Sequence, residues 1–143
     1  MDENNLSWGR VVDKNSLNNI VLPKEMIENF IGQTSTENAL IVFTPRKKIL
    51  KIDVFPVESK DIVKVKLELT EFSGNTVKQI GQIIRDNNIP KNLFTSGVCI
   101  KTELCLYEAY IEERKLSISI KELKEHFSGV DNVVKVEVSR IST

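Results

Sequence analysis

Histidine occurs once, at His126, and cysteine twice, at Cys99 and Cys105, in 143 residues. That supply is too small for a zinc site, and a Ser/His/Asp or Cys/His triad would have to recruit a histidine from a helix surface. His126 falls beside the apolar stripe Ile120, Leu123 and Phe127, where a surface residue belongs. Glu122 and Glu125, three apart on the same helix, are too exposed by pattern to hold a raised pKa. No catalytic residue, no metal ligand set and no cofactor is expected, and the chain reads as a non-enzyme.

An excess of charge is also missing. Lys and Arg total 20, as do Asp and Glu, and residues 1–61 carry 8 basic and 9 acidic groups against 12 and 11 in residues 62–143. Any nucleic-acid surface is therefore a local patch. No apolar run approaches the roughly 18 residues of a membrane span. The start Met1-Asp-Glu-Asn-Asn5 is acidic and polar, unlike a secretory signal. A cytoplasmic protein with no membrane partner is expected. A hairpin turning at Thr102-Glu103 sets Cys99 against Leu106 and Cys105 on the other face, so two buried thiols without a disulfide are expected.

What is present is an ordinary globular composition, 41% hydrophobic and 28% charged, in a length that fits one domain or two small ones. Trp8–Asp13 reads as a short strand, Lys14–Asn19 as a polar run and Ile20–Leu22 as a second short strand. Pro23 sits where a helix begins, Met26, Ile27, Phe30 and Ile31 share one helical face, and Gly32 stands at its C′ position. After a loop at 33–38, Ala39–Phe43 and Ile49–Phe55 read as strands joined by Thr44–Lys48, and Pro56–Asp61 as a boundary.

The rest alternates cleanly. Val63, Val65, Leu67 and Leu69 mark a half-buried strand; Val77, Ile80 and Ile84 mark a helix over Asn75–Asn87, with Thr76 and Gln79 spaced as a capping box. Leu93–Lys101 and Leu104–Glu113 form a hairpin. Ser119 and Glu122 cap a second helix that Gly129 stops, and Val133–Ile141 is the last strand. The order βαββαβ predicts an antiparallel sheet with two helices on one face. The fold class is α+β. The first half, about 55 residues, lies near the size where a lone core is marginal. It cannot bury Ile20, Leu22, Ile41, Phe43 and Leu50 alone, which points to a homodimer, or a homotetramer if both halves pair.

Arg10-Val-Val-Asp13, Ile20-Val-Leu-Pro-Lys-Glu-Met26 and Ile49-Leu-Lys-Ile52 together resemble the AbrB-like (SpoVT/AbrB) swapped-hairpin fold. That resemblance implies, for residues 1–58, half of a small β-barrel completed by a second chain and meeting duplex DNA through basic loops. Residues 62–143 look like an ACT-like regulatory domain of ferredoxin fold, through Glu71-Phe-Ser-Gly74, Asn88-Ile89 and Gly129-Val-Asp-Asn-Val-Val-Lys-Val-Glu-Val138. This second resemblance implies binding of an amino acid or similar small molecule.

Two candidate sites follow, each with a plainer alternative. Glu71, Phe72, Ser73, Gly74, Asn75 and Thr76 form a strand-to-helix loop in which helix-start amides, with Asn75 or Thr76, suit a carboxylate; the alternative is an ordinary capped loop. Arg46, Lys47 and Lys48, with Arg10, Lys14 and Lys24 as neighbours after dimerisation, form a phosphate-contacting patch; the alternative is a solvated turn. Trp8, without interleaved basic residues, reads as a hydrophobic plug between the halves. The expected function is a ligand-responsive, DNA-binding transcription regulator. The alternatives are a homo-oligomeric ligand-binding or assembly module that acts on a partner protein without binding DNA, and a purely structural ACT-like half.

Overall fold

The computed structural model describes residues 5–19, 23–30, 36–89 and 93–141. The strand expected at Ile20–Leu22, Gly32 and residues 33–35 lie outside them. Along the chain run β1 (Trp8–Asp13), a 3-10 turn at Lys14–Asn19, α1 (Lys24–Phe30), β2 (Asn38–Pro45), β3 (Leu50–Val57) and β4 (Ile62–Leu69). Then follow α2 (Gly74–Asp86), β5 (Thr95–Lys101), β6 (Leu104–Glu112), a 3-10 turn at Glu113–Lys115, α3 (Ile120–Ser128) and β7 (Val133–Arg140). The strands form two antiparallel sheets, ordered β1-β2-β3 and β5-β6-β4-β7. At the level of class the expectation of α+β holds. No helix among the described residues is long and apolar enough to cross a membrane.

The alternation in β4 does what period-two patterning requires. Val63, Val65, Leu67 and Leu69 are fully buried on one face and share a core with Ile80 of α2 and with Leu123 and Phe127 of α3. Ser119 caps α3 as expected, accepting the Glu122 N–H at 3.1 Å. The start of α2 differs. Its cap is Ser73, which accepts the Thr76 N–H at 3.1 Å, so the helix begins at Gly74 and Thr76 lies inside its first turn. Val77, expected in the core stripe, is 57% exposed and borders an open hollow beside Phe72.

The other face of the structure joins the two halves. Leu40, Val42 and Val57 from the three-stranded sheet pack with Val11, Ile62, Leu93, Phe94 and Tyr110 in a second core. Phe94 stands edge-on between Phe55, 6.5 Å away, and Tyr110, 6.0 Å away. Gly9 is needed at this junction: a Cβ there would lie 2.3 Å from Cε1 of Tyr110. Ile41, expected to need a second chain, is buried within this one beside Leu17 and Ala39, whereas Leu50 is 56% exposed.

The hairpin β5–β6 corrects the reading of the cysteines. A turn at Thr102-Glu103 alone would pair Cys99 with Leu106. Instead Lys101 pairs with Leu104 and Cys99 with Cys105, because a bulge between Cys99 and Lys101 shifts the register by one residue. The two sulfurs form a disulfide, with Cys105 buried and Cys99 exposed. Glu103 takes the left-handed backbone, φ 63°, that closes this turn.

Candidate functional site

The loop Glu71–Thr76 has most of its polar groups engaged within the chain. The Ser73 and Thr76 hydroxyls lie 2.7 Å apart, Asn132 Nδ2 donates to Thr76 Oγ1 at 2.8 Å, and Thr76 Oγ1 donates to the Asp131 carbonyl at 3.2 Å. Asn75 Nδ2 donates to the Asp131 carboxylate, and Gln79 Oε1 accepts the Asp131 N–H at 2.7 Å. These bonds clamp the turn before β7, where Asn132 has φ 70°, to the start of α2. Gly74 has an ordinary negative φ, and a Cβ on it would meet open space. Glu71 is exposed. Phe72 is half-buried and borders a hollow of about 270 Å³ with Val77, Ile80, Gly97 and Tyr107.

A second cavity, of about 240 Å³, lies under the C-terminal half of α2. Ile84, Ile89, Ala109, Ile111 and Phe127 give it apolar walls, and Thr95, Tyr107 and Arg85 bring polar groups. Tyr107 lines both spaces. Burial pushes its phenol up to about 12, so it stays protonated at neutral pH and is available as a donor. Arg85 is folded back over the helix: its Nη1 lies 3.2 Å from where a Gly81 Cβ would sit, and its Nη2 donates to Gln82 Oε1 at 3.1 Å. Gln82 in turn donates to Asp86 at 2.6 Å. Among the described residues Arg85 forms no ion pair.

Neither Arg85 nor Tyr107 stands out in the sequence. Arg85 follows the apolar Ile83-Ile84 and looks like a surface residue of an amphipathic helix. The one available signal for Tyr107 is its parity in β6, which puts it with Cys105, Ala109 and Ile111 on the helix-covered face.

A third group of ionisable residues is a strut. Glu108 is fully buried on β6, where it accepts the Leu6 N–H at 2.8 Å and the Ser7 hydroxyl, and lies 3.3 Å from Lys64 Nζ. Lys64 also donates to the Ser7 carbonyl at 2.7 Å and to Asn5 Oδ1 at 3.0 Å. The Ser7 and Tyr110 hydroxyls are 3.0 Å apart. Burial raises the Tyr110 pKa, the Ser7 hydrogen bond opposes that rise, and the Glu108 charge adds to it. Ser7, Glu108 and Tyr110 are closed off from solvent, so the cluster fastens residues 5–7 to the second sheet and offers no reacting surface.

The six basic residues are spread out. Arg46, Lys47 and Lys48 are exposed in the β2–β3 turn. Lys14 sits at the other end of the sheet, next to the Asp13–Asn38 pair, some eight strand residues and so about 27 Å away at ~3.4 Å per residue. Arg10 is exposed on β1 and shares a polar hollow with Asp13, Ser16 and Lys60, while Lys24 opens α1. Within one chain they form no common patch. Trp8 is half-buried opposite Phe43. His126, Glu122 and Glu125 are exposed, and among the described residues no group of His, Cys, Asp and Glu is arranged to hold a metal. No protein-family model matches this chain, and no curated protein matches it.

Proposed function

We propose that this chain is a homo-oligomeric ligand-binding protein, in which residues 62–143 act as a ferredoxin-like, ACT-like module for an amino acid or other small carboxylate with an apolar body. The observation that carries the reading is Arg85, a guanidinium without an ion pair among the described residues, at the edge of a mostly apolar cavity of about 240 Å³. A cavity of roughly 150 Å³ takes benzene, so a branched or aromatic acid fits the space. Arg85 would hold the carboxylate through its planar fork, Tyr107 would donate to it, and Ile84, Ile89 and Phe127 would receive the apolar part. This moves the ligand from the loop 71–76, whose side chains are mostly engaged, to the opposite end of the same helix.

The test is a thermal-shift series with leucine, phenylalanine, isovalerate and phenylacetate, each against its uncharged amide. A ligand at 100 times its Kd adds about 2.7 kcal/mol to stability, so the acids should raise Tm and the amides should not. Arg85→Gln should keep the unliganded Tm and lose the response. If no acid raises Tm, or if Arg85→Gln responds like the wild type, the reading fails.

A DNA-binding regulator is the second reading, favoured by three consecutive exposed cations, Arg46–Lys48, that form no ion pair among the described residues. Duplex retained at about 50 mM salt and released steeply as salt rises would support it. Replacing the three by Ala should then flatten that slope.

A further inference from the structure

We infer that β3 is a homodimer interface, in which two copies pair this strand antiparallel about Ile52 and join their sheets into one of six strands. The inference goes beyond the ligand reading and does not depend on it. Among the described residues β3 is an edge strand, since its sheet runs β1-β2-β3. Its backbone parity follows from two hydrogen bonds. Lys14 N–H donates to Glu37 O at 2.9 Å, so by alternation residues 37, 39, 41 and 43 of β2 bond toward β1. Arg46 N–H donates to Ile49 O at 2.7 Å, so 44/51, 42/53 and 40/55 are the hydrogen-bonded pairs on the β3 side. Both bonds leave the N–H and C=O of Leu50, Ile52 and Val54 pointing outward. Pro56, which has no N–H, has the same outward parity, as proline on a sheet edge should.

The side chains match a second copy of the same strand. Pairing Ile52 with Ile52 of the partner subunit sets Leu50 against Val54, and each of these outward pairs can exchange two N–H···O bonds. Leu50 is 56% and Ile52 46% exposed in the single chain, on the one face that such a continuous sheet would share. The same register sets Lys51 of each copy against Asp53 of the other, in the closer, non-hydrogen-bonded kind of pair. Asp53 calls for such a partner. Its Oδ2 is buried without a hydrogen bond, although Lys51 of its own chain lies 3.4 Å away. Buried oxygens of this kind need an explanation. The register also brings the exposed Glu58 toward the partner's Arg46–Lys48 turn.

The charge pair makes the test a swap. Light scattering of the ligand-free protein at micromolar concentration should give the mass of two chains. Lys51→Asp and Asp53→Lys should each give one chain, because each sets like charges against each other across the axis. An equimolar mixture of the two variants should return to two chains, as a heterodimer with both pairs complementary. Ile52→Glu, an exposed position whose change leaves the intramolecular ladder intact, should give a folded monomer by circular dichroism. The inference is overturned if the wild type is monomeric, if folded Ile52→Glu stays dimeric, or if the two charge variants fold and remain monomeric when mixed.

Discussion

The four-stranded half and the three-stranded half solve the same packing problem differently. The sheet β5-β6-β4-β7 has one face closed by α2 and α3 and a core of its own. The sheet β1-β2-β3 covers one face with Phe94 and Tyr110 of its neighbour and leaves Leu50 and Ile52 exposed on its edge. A half of about 55 residues lies near the size at which a lone core is marginal. It therefore takes apolar partners from elsewhere in the chain, and its polar lock at Glu108 from the other half as well.

The strongest way to break this comparison is Glu108→Ala. It removes the buried carboxylate 3.3 Å from Lys64, whose side chain is 11% exposed, and takes the acceptor from Leu6 and Ser7. Breaking a buried pair by removing one partner costs about 3–5 kcal/mol, and denaturant unfolding should show that loss. Protease sensitivity should rise first in residues 5–13.

Alkaline pH sharpens the comparison in the second half. Tyr107 is raised from 10 to about 12 by burial, so its neutral form is favoured in the fold. Its contribution is present in full below pH 10 and is lost as pH rises through 12. At about 1.4 kcal/mol per unit, that is of order 3 kcal/mol, and Tyr107→Phe should remove this share of the alkaline destabilisation.

Gly9→Ala tests the junction from the other side. The added methyl would meet the Tyr110 ring at 2.3 Å, and overpacking of this kind costs about 1–3 kcal/mol. Near-ultraviolet circular dichroism should report the displaced Tyr110 while the far-ultraviolet spectrum is kept. The smallest effect is expected for Ser73→Ala, about 1 kcal/mol for a lost N-cap, measured as a shift in denaturant midpoint. Loss of the β7 register without that modest shift would show that the Asp131–Asn132 clamp matters more than the cap.

Elements governed by local pattern were legible. Val63, Val65, Leu67 and Leu69 declare their buried face by alternation, and Ser119 with Glu122 declares a helix start. Features that depend on local register were not: a bulge next to Ile100 turns two expected thiols into a cross-strand disulfide, and the cap of α2 is Ser73 rather than Thr76. Features that depend on distant partners were least legible. The burial of Glu108 requires Leu6 and Ser7 from the other end of the chain, and the cavity beside Arg85 is a space between elements, which no residue pattern encodes.

The lock at Glu108 also has a meaning in time. Leu6 and Glu108 are 102 residues apart. At roughly 5–20 residues per second, a ribosome finishes the strands of the first sheet, at Val57, about 2.5–10 s before the carboxylate that fastens Leu6 and Ser7 has been made. For most of that interval the nascent Leu40 and Val42 lack Phe94 and Tyr110, so the part of the molecule translated first is the part that waits longest for its partners.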